Sequence, residues 1–232
     1  MHCALLSLPL HAENADTTAL STWRAGSVVT PEAVAAYGEE RCFGFEEIPD
    51  AVFARMQGKS FKENPNIQRS DLRYVRCLHT DAEGRIMLGE MVCNQKIAKD
   101  LVEIFHELYK NHYPIERMVL IDNYDADDER SMRDNNSSCF CYRVIAGSKT
   151  LSKHAKGMAI DLNTLHNPYM RKRSNGTLYV QPATARKYCD RTKRYAYTIV
   201  EGDLCHRLFL QHGFRWGGSW RSYKDWQHFD KD

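Results

Sequence analysis

The chain has few of the features that mark a membrane protein or a nucleic-acid-binding protein. No apolar run in its 232 residues approaches the roughly 18 residues of a membrane-spanning helix, so we expect no transmembrane segment. Its 32 basic and 30 acidic side chains leave a net charge of only +2, which is too small to gather nucleic acid over long range. The most basic cluster, Arg171 to Arg173, precedes the Ser-Asn-Gly sequence of residues 174–176, which favours a solvated loop. We therefore expect no nucleic-acid partner.

The chain also lacks two common metal-binding patterns. No C-x-x-C pair is present, and the close pair Cys139 and Cys141 has the wrong spacing for a structural zinc site. The acidic segment Asp125 to Asn136 lacks the ligand spacing of a calcium-binding loop, so we expect a solvated loop there. Eight cysteines nevertheless suit an oxidising compartment, although their pairing cannot be deduced from the sequence. We expect them to be small buried apolar side chains with one or two disulfides among them.

Length and composition indicate one main domain with an N-terminal extension. Residues 1–12 resemble the end of an export signal, because the apolar run from Cys3 to Ala12 ends in a small residue, although a basic leader is missing. An ordinary chain terminus is the alternative. Residues 13–71 are expected to form an extension with short helices, including Ile48 to Met56, and residues 72–232 the main domain.

Hydrophobic periodicity predicts an α+β fold with an antiparallel sheet flanked by helices. Turn residues 81–84 between two strand-like runs predict a hairpin, Arg73–His79 with Arg85–Cys93. The further predicted elements are helices at Asn94–His112 and Asp203–His212 and strands at Arg117–Asp122, Cys139–Ile145 and Met158–Leu162.

A histidine and a carboxylate lie seven residues apart in the segment LSKHAKGMAIDLNT, at His154 and Asp161. Both can bind one zinc ion only if their donor atoms lie within a few ångströms, since zinc bonds are roughly 2.0–2.2 Å long. Seven residues span about 23 Å in a strand and about 10 Å in a helix, so the chain must bend between them. Gly157 is the residue that permits such a bend.

A second acid and histidine lie near the C-terminus, where Asp225 precedes His228 by three residues among three tryptophans. With His154 and Asp161, His228 would complete a three-ligand set that leaves one zinc position open to water, as in catalytic sites. Asp225 is then the candidate general base, because it lies close to that water without being a ligand.

Together the two segments resemble the zinc D-alanyl-D-alanine carboxypeptidases, a family that includes vancomycin-resistance dipeptidases and phage L-alanyl-D-glutamate endolysins. The first half of the family signature, S-x-H-x-x-G-x-A-x-D, is present in full from Ser152 to Asp161. The second half has the endolysin-like form D-x-x-H at Asp225 and His228. The resemblance covers about Leu72 to Phe229.

The resemblance implies one zinc ion bound by His154, Asp161 and His228, with Asp225 as general base, in the fold shared with Hedgehog signalling domains. It also implies an upstream arginine that contacts the substrate carboxylate or the developing oxyanion.

For that arginine, Arg143 is our candidate and Arg133 its competitor, with a structural ion pair as the alternative for either. Ser152 matches a family serine that binds substrate, although a loop serine bonded to the backbone would have the same sequence.

The implied function is a metallopeptidase acting on peptidoglycan stem peptides in the periplasm or outside the cell. The sequence does not choose between a D-Ala-D-Ala carboxypeptidase and an L-Ala-D-Glu endopeptidase, and it gives no indication of oligomeric state. The alternative is a non-catalytic, zinc-stabilised Hedgehog-like module that binds cell-wall peptides or a protein partner. The presence of Asp225 favours the enzyme.

Overall fold

The computed structural model describes residues 16–145 and 150–232. The α-helices of these residues are α1 (Thr18–Ser21), α2 (Pro31–Tyr37), α3 (Asp50–Met56), α4 (Gln95–Lys110), α5 (Asp128–Arg133) and α6 (Leu204–Gln211). The strands are β1 (Val28–Val29), β2 (Gly44–Glu46), β3 (Leu72–Thr80), β4 (Ile86–Asn94), β5 (Ala159–Asp161), β6 (Tyr169–Lys172), β7 (Leu178–Gln181), β8 (Arg215–Trp216), β9 (Lys224–Asp225) and β10 (His228–Asp230).

The strands form three sheets, and every strand pair in them is antiparallel. One sheet has four strands in the order β1-β4-β3-β2, and two have three strands in the orders β5-β10-β8 and β7-β6-β9. The predicted α+β class with antiparallel sheets and flanking helices is confirmed at this level.

The β3–β4 hairpin is the centre of the larger sheet and matches the sequence prediction. At its turn, Asp81 accepts hydrogen bonds from the backbone of Glu83 and Arg85. Alternate side chains point to opposite faces of β3. Val75 and Cys77 pack with α4, whereas Tyr74 and Leu78 pack with the N-terminal helices. Both faces of the hairpin are therefore buried.

The predicted helices after the hairpin and near the C-terminus are confirmed as α4 and α6. Asn94 caps α4 by accepting a hydrogen bond from the amide of Lys96 at 3.1 Å, and Asp203 caps α6 in the same way through His206 at 2.8 Å. The apolar face of α4 packs against β3 and against α6. These contacts join the larger sheet to the C-terminal strands.

The N-terminal extension completes the larger sheet. β1 pairs with β4 and β2 pairs with β3, and helix α3 confirms the short helix predicted at Ile48–Met56. The sheet thus continues across position 72, and the proposed boundary at that position stays a prediction. The suggested export-signal remnant, residues 1–12, lies outside the described residues.

The strands predicted at Arg117–Asp122 and Cys139–Ile145 are wrong. Asn136 bonds both the amide and the carbonyl of Val119 through its side chain, so a side chain takes the place of a neighbouring strand. In the second segment, Phe140 and Tyr142 donate their amides to different parts of the chain, at Val92 and Ser60. Neither segment has the continuous partner that a β-ladder requires.

The solvated loop predicted at Asp125–Asn136 is also wrong, because it contains α5. Asp127 caps this helix by accepting a hydrogen bond from the amide of Arg130, and Ser131 and Met132 are buried.

The seven described cysteines are free thiols, and all but Cys189 are buried. The one or two disulfides expected from the cysteine count are therefore absent from the described residues, whereas the expected small, buried apolar side chains are found there. No helix in this part of the chain is long and apolar enough to cross a membrane.

Gly157 packs against the end of β4 at a distance that excludes a side chain. Its φ of +65° lies in the left-handed region, and a Cβ there would come within 2.6 Å of the amide nitrogen of Asn94. Its carbonyl accepts the hydrogen bond of that same amide at 2.8 Å. This contact anchors the Ser152–Asp161 motif to the larger sheet.

We expect Gly157→Ala to lower the free energy of unfolding by about 2–4 kcal/mol, because left-handed strain and a backbone clash add together. Urea denaturation measures the loss. Gly84→Ala is the matched control, since Gly84 has a similar φ of +79° but open space around its Cβ position; it should cost about 1 kcal/mol. Equal losses in the two variants would contradict the close contact.

Candidate metal centre

Strand pairing places two of the predicted metal ligands side by side. β5 and β10 are antiparallel, and His228 is the register partner of Asp161. Nδ1 of His228 lies 3.0 Å from Oδ1 of Asp161. The two halves of the sequence motif, 67 residues apart in the chain, therefore meet across one strand pair.

His154 reaches the same point from the turn before β5. It begins a short 3-10 turn, His154–Lys156, that ends at Gly157. Nε2 of His154 lies 3.2 Å from Oδ2 of Asp161 and 3.3 Å from Nδ1 of His228. The structure thus brings the three predicted ligands together, with one donor atom of each within 4.8 Å of the others.

Each histidine has one ring nitrogen in a supporting contact, which leaves its other ring nitrogen facing the candidate metal site. Nδ1 of His154 lies 2.7 Å from the carbonyl oxygen of Cys139 and must donate to it, so its Nε2 carries the lone pair. Nε2 of His228 lies 3.4 Å from Oδ2 of Asp230, which leaves Nδ1 for the site. A carbonyl or carboxylate behind each histidine is the usual support for a metal ligand.

The buried charges of the site depend on each other. Burial lowers the pKa of His228, but its hydrogen bonds to Asp161 and Asp230 outweigh burial and raise that pKa to about 10. Burial raises the pKa of Asp161, yet His154 and His228 together hold it well below its usual range. Without a metal, the site therefore keeps a proton on His228.

Asp225, the predicted general base, lies beside the ligands on β9. Burial, the largest effect, raises the pKa of Asp225 to about 6 against the opposing attraction of His228. Oδ1 of Asp225 is buried and has no hydrogen-bond partner in the described residues. Gly217 allows β9 to lie this close, because a Cβ at Gly217 would come within 2.6 Å of the Asp225 carbonyl oxygen.

Arg143 lies near the site in an ion pair. Its Nε is 2.8 Å from Oδ2 of Asp128 on α5. Burial, the largest effect, raises the pKa of Asp128, while the charges of Arg143 and His154 act against it. The pair is therefore within electrostatic range of the ligands. The competitor Arg133 instead pairs with Glu129 along the exposed side of α5 at 3.1 Å.

Ser152 is buried, and its hydroxyl accepts a hydrogen bond from the amide of Ala155 at 3.0 Å. The hydroxyl thus supports the turn that carries His154, and its predicted contact with substrate stays a prediction. Among the tryptophans, Trp216 and Trp226 belong to the core. Trp220 is half-buried and its ring lies 5.4 Å from that of His228, so it forms a wall of the site.

Sequence reasoning missed Asp128 and Asp230. A signal existed for both. Asp128 begins a segment with acids first and arginines last, which is typical of a short helix. Asp230 follows His228 by two residues in a strand, so both side chains lie on the same face.

A second group of potential ligands, Asp100, Glu103 and His212, lies on α4 and just after α6. Lys231 is 2.7 Å from Oδ2 of Asp100. Lys231 thus already occupies the Asp100 carboxylate of this group, so we assign it no metal.

Comparison with known protein families agrees with the motifs. Residues 146–231 match the model of a D-alanyl-D-alanine carboxypeptidase family. The match includes His154, Asp161, Asp225 and His228, and it begins three residues after Arg143. The predicted resemblance to this peptidase family is confirmed over these residues. Neither curated proteins nor solved structures gave a significant match to the chain.

We expect His154→Ala to lose stoichiometric zinc, because two ligands do not retain the ion as three do. Metal analysis after dialysis against a weak chelator measures the ratio of zinc to protein. His212→Ala is the matched control and should keep one zinc per chain. Zinc retained in the first variant would remove His154 from the ligand set.

Zinc affinity should increase with pH, because the ion must displace the proton that Asp161 and Asp230 stabilise on His228. The group is protonated below about 10, so the dissociation constant should decrease about tenfold per pH unit, or about a hundredfold from pH 6 to pH 8. Isothermal titration in buffers of different ionisation enthalpy measures the affinity and the proton release together. A dissociation constant that is independent of pH would contradict this arrangement.

Proposed function

We propose that the protein is a zinc-dependent peptidase that hydrolyses peptide bonds of peptidoglycan stem peptides. The observation that carries the proposal is the buried carboxylate of Asp225 beside three converging ligand atoms, because its Oδ1 has no hydrogen-bond partner in the described residues. Burying a carboxylate oxygen without a hydrogen-bond donor costs free energy, so its presence here indicates a functional role. A site that only stabilised the fold would not need it.

The donor set fits zinc. Two neutral imidazole nitrogens and one carboxylate are a common ligand set for this ion, and three protein ligands leave a position open. His154 would bind through Nε2, His228 through Nδ1 and Asp161 through its carboxylate. When bound, zinc would supply a Lewis acid that acidifies water and polarises the substrate carbonyl.

Asp225 performs the proton transfers in this proposal. With a pKa of about 6, raised by burial, its carboxylate is ionised at neutral pH and accepts the proton of the attacking water. It then returns that proton to the leaving amine. Arg143, oriented by Asp128, would donate hydrogen bonds to the oxyanion that develops on the carbonyl.

The fold would be that of the D-alanyl-D-alanine peptidases and Hedgehog signalling domains. The substrate would place the protein in the cell envelope, either in the periplasm or outside the cell. The bond cleaved would be either the terminal D-Ala-D-Ala bond or the L-Ala-D-Glu bond.

Asp225→Asn should reduce kcat by about 10²–10⁴-fold, because an amide does not accept the proton, while zinc stays bound at one ion per chain. Asp50→Asn, the same chemical change at an exposed carboxylate, should leave kcat unchanged. Steady-state kinetics with metal analysis measures both quantities. Full turnover in the Asp225 variant would overturn the role of this residue.

Mass spectrometry of purified stem peptides after incubation with the zinc-loaded protein tests the reaction itself. Loss of one D-alanine would identify a carboxypeptidase, and separation of L-alanine from D-glutamate an endopeptidase. A chelated sample and the Asp225→Asn protein serve as controls. Intact peptides with zinc bound would favour the non-catalytic binding module.

A further inference from the structure

A strongly basic segment lies next to the candidate metal centre. Residues 169–194 contain eight basic side chains and one acidic side chain, a net charge of +7 in a chain whose total is +2. They include β6, its turn and β7. The solvated loop expected around Arg171 is in fact the end of this hairpin.

Most of these charges have no acidic partner. Arg171, Lys172, Arg173, Lys187 and Arg194 are exposed, and none lies within 4.0 Å of a carboxylate in the described residues. Asp190, the acidic residue of the segment, lies 3.7 Å from Lys193. Like charges at this density repel one another. Within the described residues, no acidic side chain pairs with these five to offset the repulsion.

The β6–β7 hairpin lies next to the strand that carries Asp225. β6 pairs with β9, and Tyr169 is the register partner of Asp225. Since a strand advances about 3.3 Å per residue, Arg171 lies about 7 Å from Tyr169 along β6. An extended peptide whose scissile bond lies at Asp225 would reach Arg171 within two to four residues.

A row of aromatic rings runs from the candidate metal centre to the β6–β7 hairpin. Trp220 lies 5.4 Å from the ring of His228 and 5.1 Å from that of Tyr223. Tyr169 follows at 5.6 Å from Tyr223, and Tyr179 at 6.1 Å from Tyr169. These side chains, which we call the aromatic row (Trp220, Tyr223, Tyr169 and Tyr179), are all half-buried or exposed.

The aromatic row ends at Tyr179, whose ring contacts two arginines. The guanidinium of Arg171 lies 5.5 Å and that of Arg173 4.9 Å from the centre of the Tyr179 ring. Stacking on an aromatic face orients a guanidinium while leaving its N–H groups free to bind an anion. The hairpin thus presents two ordered cationic groups at the end of an apolar track.

We propose that the β6–β7 hairpin and the aromatic row form the binding surface for an acidic, extended segment of the substrate, whose carboxylates contact Arg171 and Arg173. This inference rests on the proposed peptidase function and names the substrate class of the same site: peptides with a carboxylate two to four residues from the scissile bond. Charge and aromatic contacts there select the substrate, and the reaction takes place at Asp225.

The test compares stem peptides with free carboxylates and the same peptides with those carboxylates amidated. For the free acids, the double variant Arg171→Ala/Arg173→Ala should raise KM about tenfold and leave kcat within about twofold. For the amidated peptides it should change neither. The control Arg24→Ala/Lys99→Ala removes the same charge from exposed sites of the N-terminal segment and of α4, and should behave as wild type.

A binding measurement separates this inference from the proposed function. Fluorescence anisotropy of labelled free and amidated peptides on the Asp225→Asn protein reports binding without cleavage. Absence of cleavage by wild type would contradict the proposed function alone, if the hairpin still binds the free acid more tightly. Equal KM and equal binding for both peptides in all proteins would overturn the inference. Tighter, arginine-dependent binding of a single-stranded oligonucleotide would also overturn it, in favour of a nucleic-acid surface.

Discussion

The antiparallel pairing of β5 with β10 is the constraint on which the candidate site depends. It holds Asp161 opposite His228, and β10 also pairs with β8, which completes the three-stranded sheet. Phe229, between the two polar residues of β10, is fully buried and stacks on Phe209 of α6 at 4.3 Å. Side chains alternate across a strand, so one short segment anchors the core on one face and supplies the site on the other.

The larger sheet gives this pairing a fixed position. Gly157 contacts the end of β4 without room for a Cβ, and the chain turns there between His154 and β5. The Cys139 carbonyl, in the segment that crosses next to β4, orients the His154 ring. The ligands are thus held by backbone contacts from two sheets, which is the kind of rigid support that a metal site requires.

Electrostatics follows from the same arrangement. His154, Asp161 and His228 are largely removed from water, and burying such groups is unfavourable unless opposite charges or a metal ion compensate them. Asp230 and Arg215 extend the network outward to solvent through an ion pair. Asp225 differs from Asp161, because burial outweighs the attraction of His228 and raises its pKa, and no donor in the described part of the chain bonds its Oδ1.

Sequence patterns predicted the parts of the molecule that depend on local periodicity. The β3–β4 hairpin, α4 and α6 were predicted because their apolar spacing and caps are encoded within a few residues of each other. The bipartite motif also predicted which residues converge, since Gly157 marked the required bend. By contrast, the strand predictions at Arg117–Asp122 and Cys139–Ile145 were wrong. The hydrogen-bond partners of these segments are distant side chains and separate parts of the chain, which no local pattern specifies.

The site could be predicted only in part for the same reason. Nothing near Arg143 in the sequence indicates that Asp128 holds its guanidinium, because α5 and that segment meet only in the folded chain. The exposed arginines of β6 also read as a solvated loop, since their proximity to Asp225 depends on the pairing of β6 with β9.

Anomalous diffraction at the zinc edge from crystals of the zinc-loaded protein tests the assignment of the metal ligands most directly. We predict one strong peak bonded to Nε2 of His154, a carboxylate oxygen of Asp161 and Nδ1 of His228, at about 2.0–2.2 Å, with the carboxylate of Asp225 nearby but not bonded. A peak at Asp100, Glu103 and His212 instead, or Asp225 as a fourth ligand that closes the site, would contradict it.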